Sequence, residues 1–352
     1  MDLEILWFVL IAALWAIYFA LEGFDFGVGI LLAFLPRGER ERTVMLETFG
    51  PVWDGNEVWL VVVGAATFAA FPIWYATMFS GFYLALLLVL VLLIVRAVAL
   101  EWRGKSEHPR WLAAWRAILV VASIGAPFVW GVALTNLVNG VPLASDGSYA
   151  GDFADLFSPY TVAAGVDVVA LFALHGATFL TLRTGGALGA RAATAARRLS
   201  IPVAIMVVAV LAWTVAVAVD RNDNDVFPAV LPAAIGAAAI LLAAVLIWRR
   251  RSGWAFVMTA VATVALVATI FTGLYPRVLV SDPVFANSLT IESTASTHYT
   301  LTALTIVAAL LLPVFILSQA WAYHVFRARL HAEEIRSPVK AFARQAGNPP
   351  AE

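Results

Sequence analysis

Apolar runs of about twenty residues recur along this chain, each long enough to span roughly 30 Å of hydrocarbon as a helix. They predict about nine membrane spans, over 5–35, 51–70, 74–100, 115–137, 159–182, 199–219, 230–248, 254–274 and 298–325. The first run would be roughly 46 Å long at 1.5 Å per residue, so it must tilt or project into water. Pro36 ends it, and Phe71-Pro72 stops the second. An acidic, glycine-rich loop covers 139–158, and a longer polar loop covers 275–297. The pattern therefore reads as one transmembrane domain over 1–330, followed by a polar cytoplasmic tail over 331–352.

Composition agrees with the pattern. Apolar residues make up 62% and charged residues 13% of the 352, whereas soluble domains run at about 45–50% and 25%. The fold class expected is an all-α polytopic membrane protein. There is no cysteine, which excludes disulfides, thiolate-bound iron–sulfur clusters and Cys-type zinc sites. Nothing in the charge pattern points to nucleic acid. Met1-Asp2-Leu3-Glu4 lacks the basic start of a cleaved signal peptide, so the first helix is expected to stay.

Charge becomes informative once it is sorted by loop. Of the 22 basic residues, all but Arg96, Arg221 and Arg277 fall in alternate loops or in the tail. By the positive-inside rule that side is cytoplasmic, which puts the N-terminus outside and the C-terminus inside. A weak internal repeat is also visible. Gly27-Val28-Gly29, an Arg-rich loop and Gly50-Pro51 are echoed by Gly176-Ala177-Thr178, an Arg-rich loop and Ile201-Pro202. It would relate spans one to four to spans five to eight, as two four-helix bundles with one extra helix.

Ionisable residues inside these spans carry the candidate chemistry. Glu22 and Asp25 are three apart, as are Asp54 and Glu57, so each pair lies on one helix face. A charge buried in a bilayer costs on the order of 3 kcal/mol, so such groups face a partner or a polar path. Proton handling is the first hypothesis. Asp25 lies about 16 Å before Pro36 along its helix, and Asp54 opens the second span while Arg96 closes the third. All three fall in the cytoplasmic half. Each has a plainer reading: Asp54 as a helix N-terminal residue, Arg96 as a structural counter-ion for Asp25 or Glu22, and Trp53 and Trp59 as interfacial or packing aromatics. His175 is the one histidine deep in a span. It could ligate haem or relay protons, or form a hydrogen-bonded helix contact. One embedded histidine is poor equipment for holding several haems.

Several segments then resemble subunit II of the cytochrome bd-type quinol oxidases. They include Glu22-Gly23-Phe24-Asp25-Phe26-Gly27-Val28-Gly29 and Pro51-Val52-Trp53-Asp54-Gly55-Asn56-Glu57-Val58-Trp59-Leu60. Further ones are Ala69-Ala70-Phe71-Pro72, Phe79-Ser80-Gly81-Phe82-Tyr83, Arg96-Ala97-Val98-Ala99-Leu100-Glu101 and Asn136-Leu137-Val138-Asn139-Gly140-Val141-Pro142. His175-Gly176-Ala177-Thr178, Asn287-Ser288-Leu289-Thr290-Ile291 and Thr297-His298-Tyr299-Thr300-Leu301 extend it to about residue 330. The W-D-G-N-x-V-W-L run is the most specific piece.

The resemblance implies a haem-free chain paired with a similarly folded subunit I that carries haem b, haem d and the quinol site. Quinol would be oxidised and oxygen reduced to water, with protons drawn from the cytoplasm. It implies a proton path through Asp54, with Asp25 and Arg96 in the buried polar region of the same subunit. Taken with the embedded acids, the expected path runs over Asp54, Asp25, Glu22 and Glu57, with polar support from Arg96, Trp53 and Asn56. It also implies oxygen access near Trp59. No cofactor or metal is expected on this chain, apart from room for a structural quinone. Lipid and small single-helix subunits are further expected partners, in a bacterial cell membrane. His175 stands where some relatives have glutamine, and neither it nor Asp167 is given a role. The competing class is a proton- or cation-coupled secondary transporter, with a broken helix at Gly23 to Gly29. A purely structural partner is the third reading. Dependence on a haem-bearing partner separates the first two, and proton uptake separates the third.

Overall fold

The computed structural model describes residues 2–222 and 226–331, so the tail expected over 331–352 lies, from 332 onward, outside the described residues. The chain is helical almost throughout. Its elements are α1 (Leu3–Leu31), α2 (Glu39–Glu47), α3 (Trp53–Ala70), α4 (Pro72–Gly81), α5 (Tyr83–Trp102), α6 (Pro109–Asn139), α7 (Pro159–Arg183) and α8 (Gly186–Asn222). There follow α9 (Val226–Trp248), α10 (Ser252–Leu274), a two-stranded hairpin of β1 (Arg277–Leu279) and β2 (Leu289–Thr290), α11 (Ile291–Thr294) and α12 (His298–Val325). Among the described residues, eight helices are long and apolar enough to cross a membrane: α1, α5, α6, α7, α8, α9, α10 and α12. This is a multi-pass membrane protein. The remaining expected span falls on α3, whose 18 residues carry Asp54, Asn56 and Glu57 among the first five. Those polar turns keep it out of the apolar set.

Several boundaries differ from expectation, each for a local reason. The first span ends at Leu31 rather than 35, because Pro36 disfavours helix in the residue before it. The charged stretch that reads as a loop folds as α2. It buries Thr43, Val44, Met45 and Leu46, and ties Glu39 to Arg42 and Arg103, and Glu41 to Arg191. The expected third span is two helices. Proline at the first position of α4 suits a helix start, and Phe82 (φ −98°, ψ 17°) breaks the chain between α4 and α5. α8 starts thirteen residues before the expected 199, at Gly186, whose φ of 61° favours glycine.

α1 is the centre of the molecule. It packs against α3, α6, α7 and α10, and it touches α12. α5 completes the first group through α6, whereas α7, α8, α9 and α10 pack on one another as a second group. The crossing of α1 on α7 is backbone against backbone. A Cβ on Gly27 would lie 1.9 Å from the Phe172 carbonyl oxygen, and one on Gly176 would lie 2.4 Å from the Gly27 carbonyl carbon. Small residues permit that closeness where van der Waals packing must drive association. At the acidic end the two long loops close over the helices. Val141 bridges Ser281, Asn287 Nδ2 donates to the Leu143 carbonyl (2.8 Å), and Arg221 pairs with Asp282 (2.7 Å). Among the described residues α12 rests mainly on α3 and α1, and Leu301 is its one buried residue.

Candidate functional site

The polar residues of the first group meet where α1, α3, α5 and α12 approach one another. Glu22 and Asp25, one turn apart on α1, are both 0% exposed, and Arg96 of α5 is 1% exposed. Arg96 donates through Nη1 to Glu22 Oε1, and its guanidinium lies over the Phe26 ring at 4.4 Å. A planar cation stacked on an aromatic face is tolerated in apolar surroundings better than an ammonium would be. Of the two counter-ion partners open to Arg96 in the sequence, Glu22 is the one it bonds.

Asp25 is held differently. Its Oδ2 accepts a hydrogen bond from Asn56 Nδ2 of α3 at 2.8 Å. The Asn56 oxygen in turn accepts from Gln319 Nε2 and from the Tyr323 hydroxyl, both at 2.7 Å and both from α12. Asn56 thus joins three helices and is itself fully buried. Gln319 and Tyr323 were not among the residues expected from sequence. Their spacing of four on one face of an apolar helix was the available signal. Within the described residues Glu22 Oε2, Asp25 Oδ1, Arg96 Nη2 and the buried Tyr18 hydroxyl have no hydrogen-bond partner. Unpaired buried polar atoms are uncommon and mark either water or a function.

The other expected residues lie around this centre. Asp54 is exposed and Glu57 half-buried, one turn deeper on α3. The charge of Glu57 acts on Arg96, Glu22 and Asp25. Trp53 is half-buried, and Trp59 is buried edge-on against Phe315 of α12 at 4.9 Å. Beside this face, a cavity of about 310 Å³ separates α3 from α5. Its wall includes Trp15, Leu60, Val63, Gly64, Trp74 and Trp130, but not Trp59.

Outside the membrane-spanning segments, α2 adds two perturbed acids. Burial pushes Glu41 up, but bonds from the Arg37 N–H and from Arg191 outweigh it and hold its carboxyl below the ordinary value. Burial alone raises Glu47 to about 7.

His175 is fixed by its neighbours. Nδ1 meets Thr259 Oγ1 at 2.7 Å, Nε2 meets the Ala20 carbonyl at 3.1 Å, and the ring stacks on Phe256. Both nitrogens are engaged in binding α1, α7 and α10 together, so this residue does not fit a haem ligand. Among the described residues no group of three or more His, Asp or Glu could hold a metal ion. Asp167, on α7, is buried with neither oxygen hydrogen-bonded to a described residue.

Comparison with known proteins covers the same ground. Residues 3–326 match the family model for cytochrome bd terminal oxidase subunit II. The chain is 41% identical to cytochrome bd ubiquinol oxidase subunit 2 of Bacillus subtilis (strain 168), over 95% of this chain and 98% of that one. It is 32% identical to cytochrome bd-I ubiquinol oxidase subunit 2 of Escherichia coli (strain K12), over 95% and 96%. A chain in the structure of bd oxidase from Geobacillus thermodenitrificans superposes with a TM-score of 0.74, covering 93% of this chain and 99% of that chain. At 19% identity that likeness speaks for the fold alone.

Proposed function

Because the chain belongs to the cytochrome bd terminal oxidase subunit II family, we propose that it is the haem-free subunit II of a bacterial quinol oxidase. Its partner, subunit I, holds haem b and haem d and oxidises quinol. This chain supports that partner and delivers protons from the cytoplasm. It crosses the membrane nine times, α3 included, with the N-terminus outside. Reporter fusions after Arg42, Arg103 and Arg329 then read cytoplasmic and one after Asp152 reads external; a reversal at any of them breaks the topology.

The observation that carries the proton role is a gradient of burial along one line of carboxylates. Asp54 is exposed, Glu57 is half-buried, and Asp25 and Glu22 are fully buried. Reducing oxygen to water consumes one proton for every electron, and a group that relays protons must exchange with water at one end and be enclosed at the other. Asp54 supplies the wet end and Glu57 the next station. The innermost set holds two carboxylates against one guanidinium, so a single added proton makes it neutral. Arg96 and Asn56 fix the geometry of the two acids. The cavity between α3 and α5 offers oxygen an apolar space beside the same helix.

Asp54→Asn and Asp25→Asn, made in the whole complex, test this reading. An amide keeps the shape and the hydrogen-bonding capacity of the acid but carries no exchangeable charge. Each variant is expected to assemble with full haem content and to turn over quinol more slowly, while Asp54→Glu retains more activity. Wild-type turnover in both amide variants, or loss of haem together with the complex, refutes the path.

A further inference from the structure

A second cavity, of about 320 Å³, opens at the basic end of the α7–α10 group. Its wall takes Arg197 and Thr194 from α8, Thr181 from α7, Arg250 from the turn after α9, and Ser252, the first residue of α10. The rest of the lining is mostly alanine. Neither guanidinium is in an ion pair with a described residue. Among the described residues of α7 to α10 no acid stands near: α9 and α10 carry none, Asp220 lies at the far end of α8, and Asp167 lies roughly 20 Å from Thr181 along α7. Arg191, one turn before Thr194, is already satisfied by Glu41.

Two cations that share a pocket repel each other and are relieved by an anion between them. The hydroxyls divide the work. Thr181 and Thr194 donate to the Thr178 and Ala190 carbonyls at 2.6 and 2.9 Å, so the donors left for a ligand are the two guanidiniums and Ser252. That set fits tetrahedral anionic oxygens, which arginine binds through paired N–H groups. Arg250 also stands where glycine is the usual residue. Its φ is 57°, and the next N–H, of Arg251, returns to the Leu246 carbonyl at 2.9 Å in the ordinary helix-ending turn. The exposed Trp248 and Trp254 flank this turn, as indole rings do at the headgroup level of a bilayer.

We propose that this cavity binds an anionic phosphate group, with Arg197 and Arg250 as its two cationic walls. A phospholipid headgroup and a soluble phosphate present the same chemistry, and the experiment separates them. The complex is placed in nanodiscs of phosphatidylcholine with phosphatidylglycerol, and the phosphatidylglycerol retained is measured by native mass spectrometry. In nanodiscs of phosphatidylcholine alone, binding of inorganic phosphate is followed by calorimetry. Arg197→Gln and Arg250→Gly are each expected to weaken the bound probe about tenfold, the scale of one charge-assisted contact. Arg250→Gly also removes an unfavourable backbone conformation, so its melting temperature stays level or rises and lost binding is not lost folding. Retained phosphatidylglycerol identifies a lipid phosphate, and heat with inorganic phosphate identifies a soluble one. The proposal is overturned if neither probe binds the parent, or if the double variant binds either probe as tightly as the parent.

Discussion

Replacing Asn56 by leucine tests whether one side chain holds α12 to the body of the protein. Leucine has nearly the same volume, so packing changes little while three hydrogen bonds vanish, to Asp25, Gln319 and Tyr323. Side-chain hydrogen bonds inside membrane proteins average about 0.6 kcal/mol, so the three together contribute roughly 2 kcal/mol. Asp25 raises the cost, because its other oxygen already lacks a partner and stripping a buried acceptor adds about 1–3 kcal/mol. The expected loss is roughly 3–5 kcal/mol, a large part of the margin of about 5–15 kcal/mol that folded proteins hold. Equilibrium unfolding in mixed micelles, read on the whole complex, measures it. Tyr323→Phe removes a single bond and should cost no more than about 1 kcal/mol. In an Asp25→Asn background the penalty of Asn56→Leu should shrink, since the stranded partner is then an amide. A loss in Asn56→Leu no greater than in Tyr323→Phe, or a penalty unchanged by Asp25→Asn, would refute the hub.

Arg96→Gln leaves Glu22 buried without its cation and should destabilise by about 3–5 kcal/mol; the double variant with Glu22→Gln should recover most of that in the same unfolding assay. Glu47 sits at about 7 in the folded chain because of burial, against about 4.3 unfolded. The folded state therefore binds the extra proton between those values, so its contribution is complete below about 4.3 and is lost as pH rises through about 7. Melting temperatures across that window should fall toward alkaline pH, and Glu47→Gln should flatten the slope. Gly64 lines the cavity between α3 and α5, and a Cβ there meets nothing within 4 Å. Gly64→Phe should fill the space and raise KM for oxygen severalfold with kcat unchanged; an unaltered KM removes the oxygen path from this cavity.

The spans were legible because hydrocarbon thickness imposes a length that composition alone can satisfy. Helix that does not need that length leaves no such mark in the composition. The segment after Gly186 reads as an Arg-rich loop, yet alanine, leucine and arginine are all good helix formers. Leu188, Ala192 and Ala196 bury one stripe at a spacing of four. α2 is similar: four arginine or glutamate residues hide the buried run Thr43 to Leu46. In both cases charge was a sign of position at the membrane surface rather than of irregular structure.

The cluster at α1, α3 and α5 was legible for the opposite reason. Glu22, Asp25, Glu57 and Arg96 stand out because an ionisable group in an apolar run is costly enough to need a cause. The same reasoning passes over uncharged partners, and these complete the arrangement. Gln319 and Tyr323 reach Asn56 across more than 260 positions of sequence, and no periodicity within α12 names α3 as the helix it faces. His175 shows the converse. Its isolation drew attention to it, but its two ring nitrogens bond Thr259, 84 residues later, and Ala20, 155 residues earlier. Cost identifies which residues need partners; only the packing of α1 at the centre, permitted by Gly27 against Gly176, determines which partners they find.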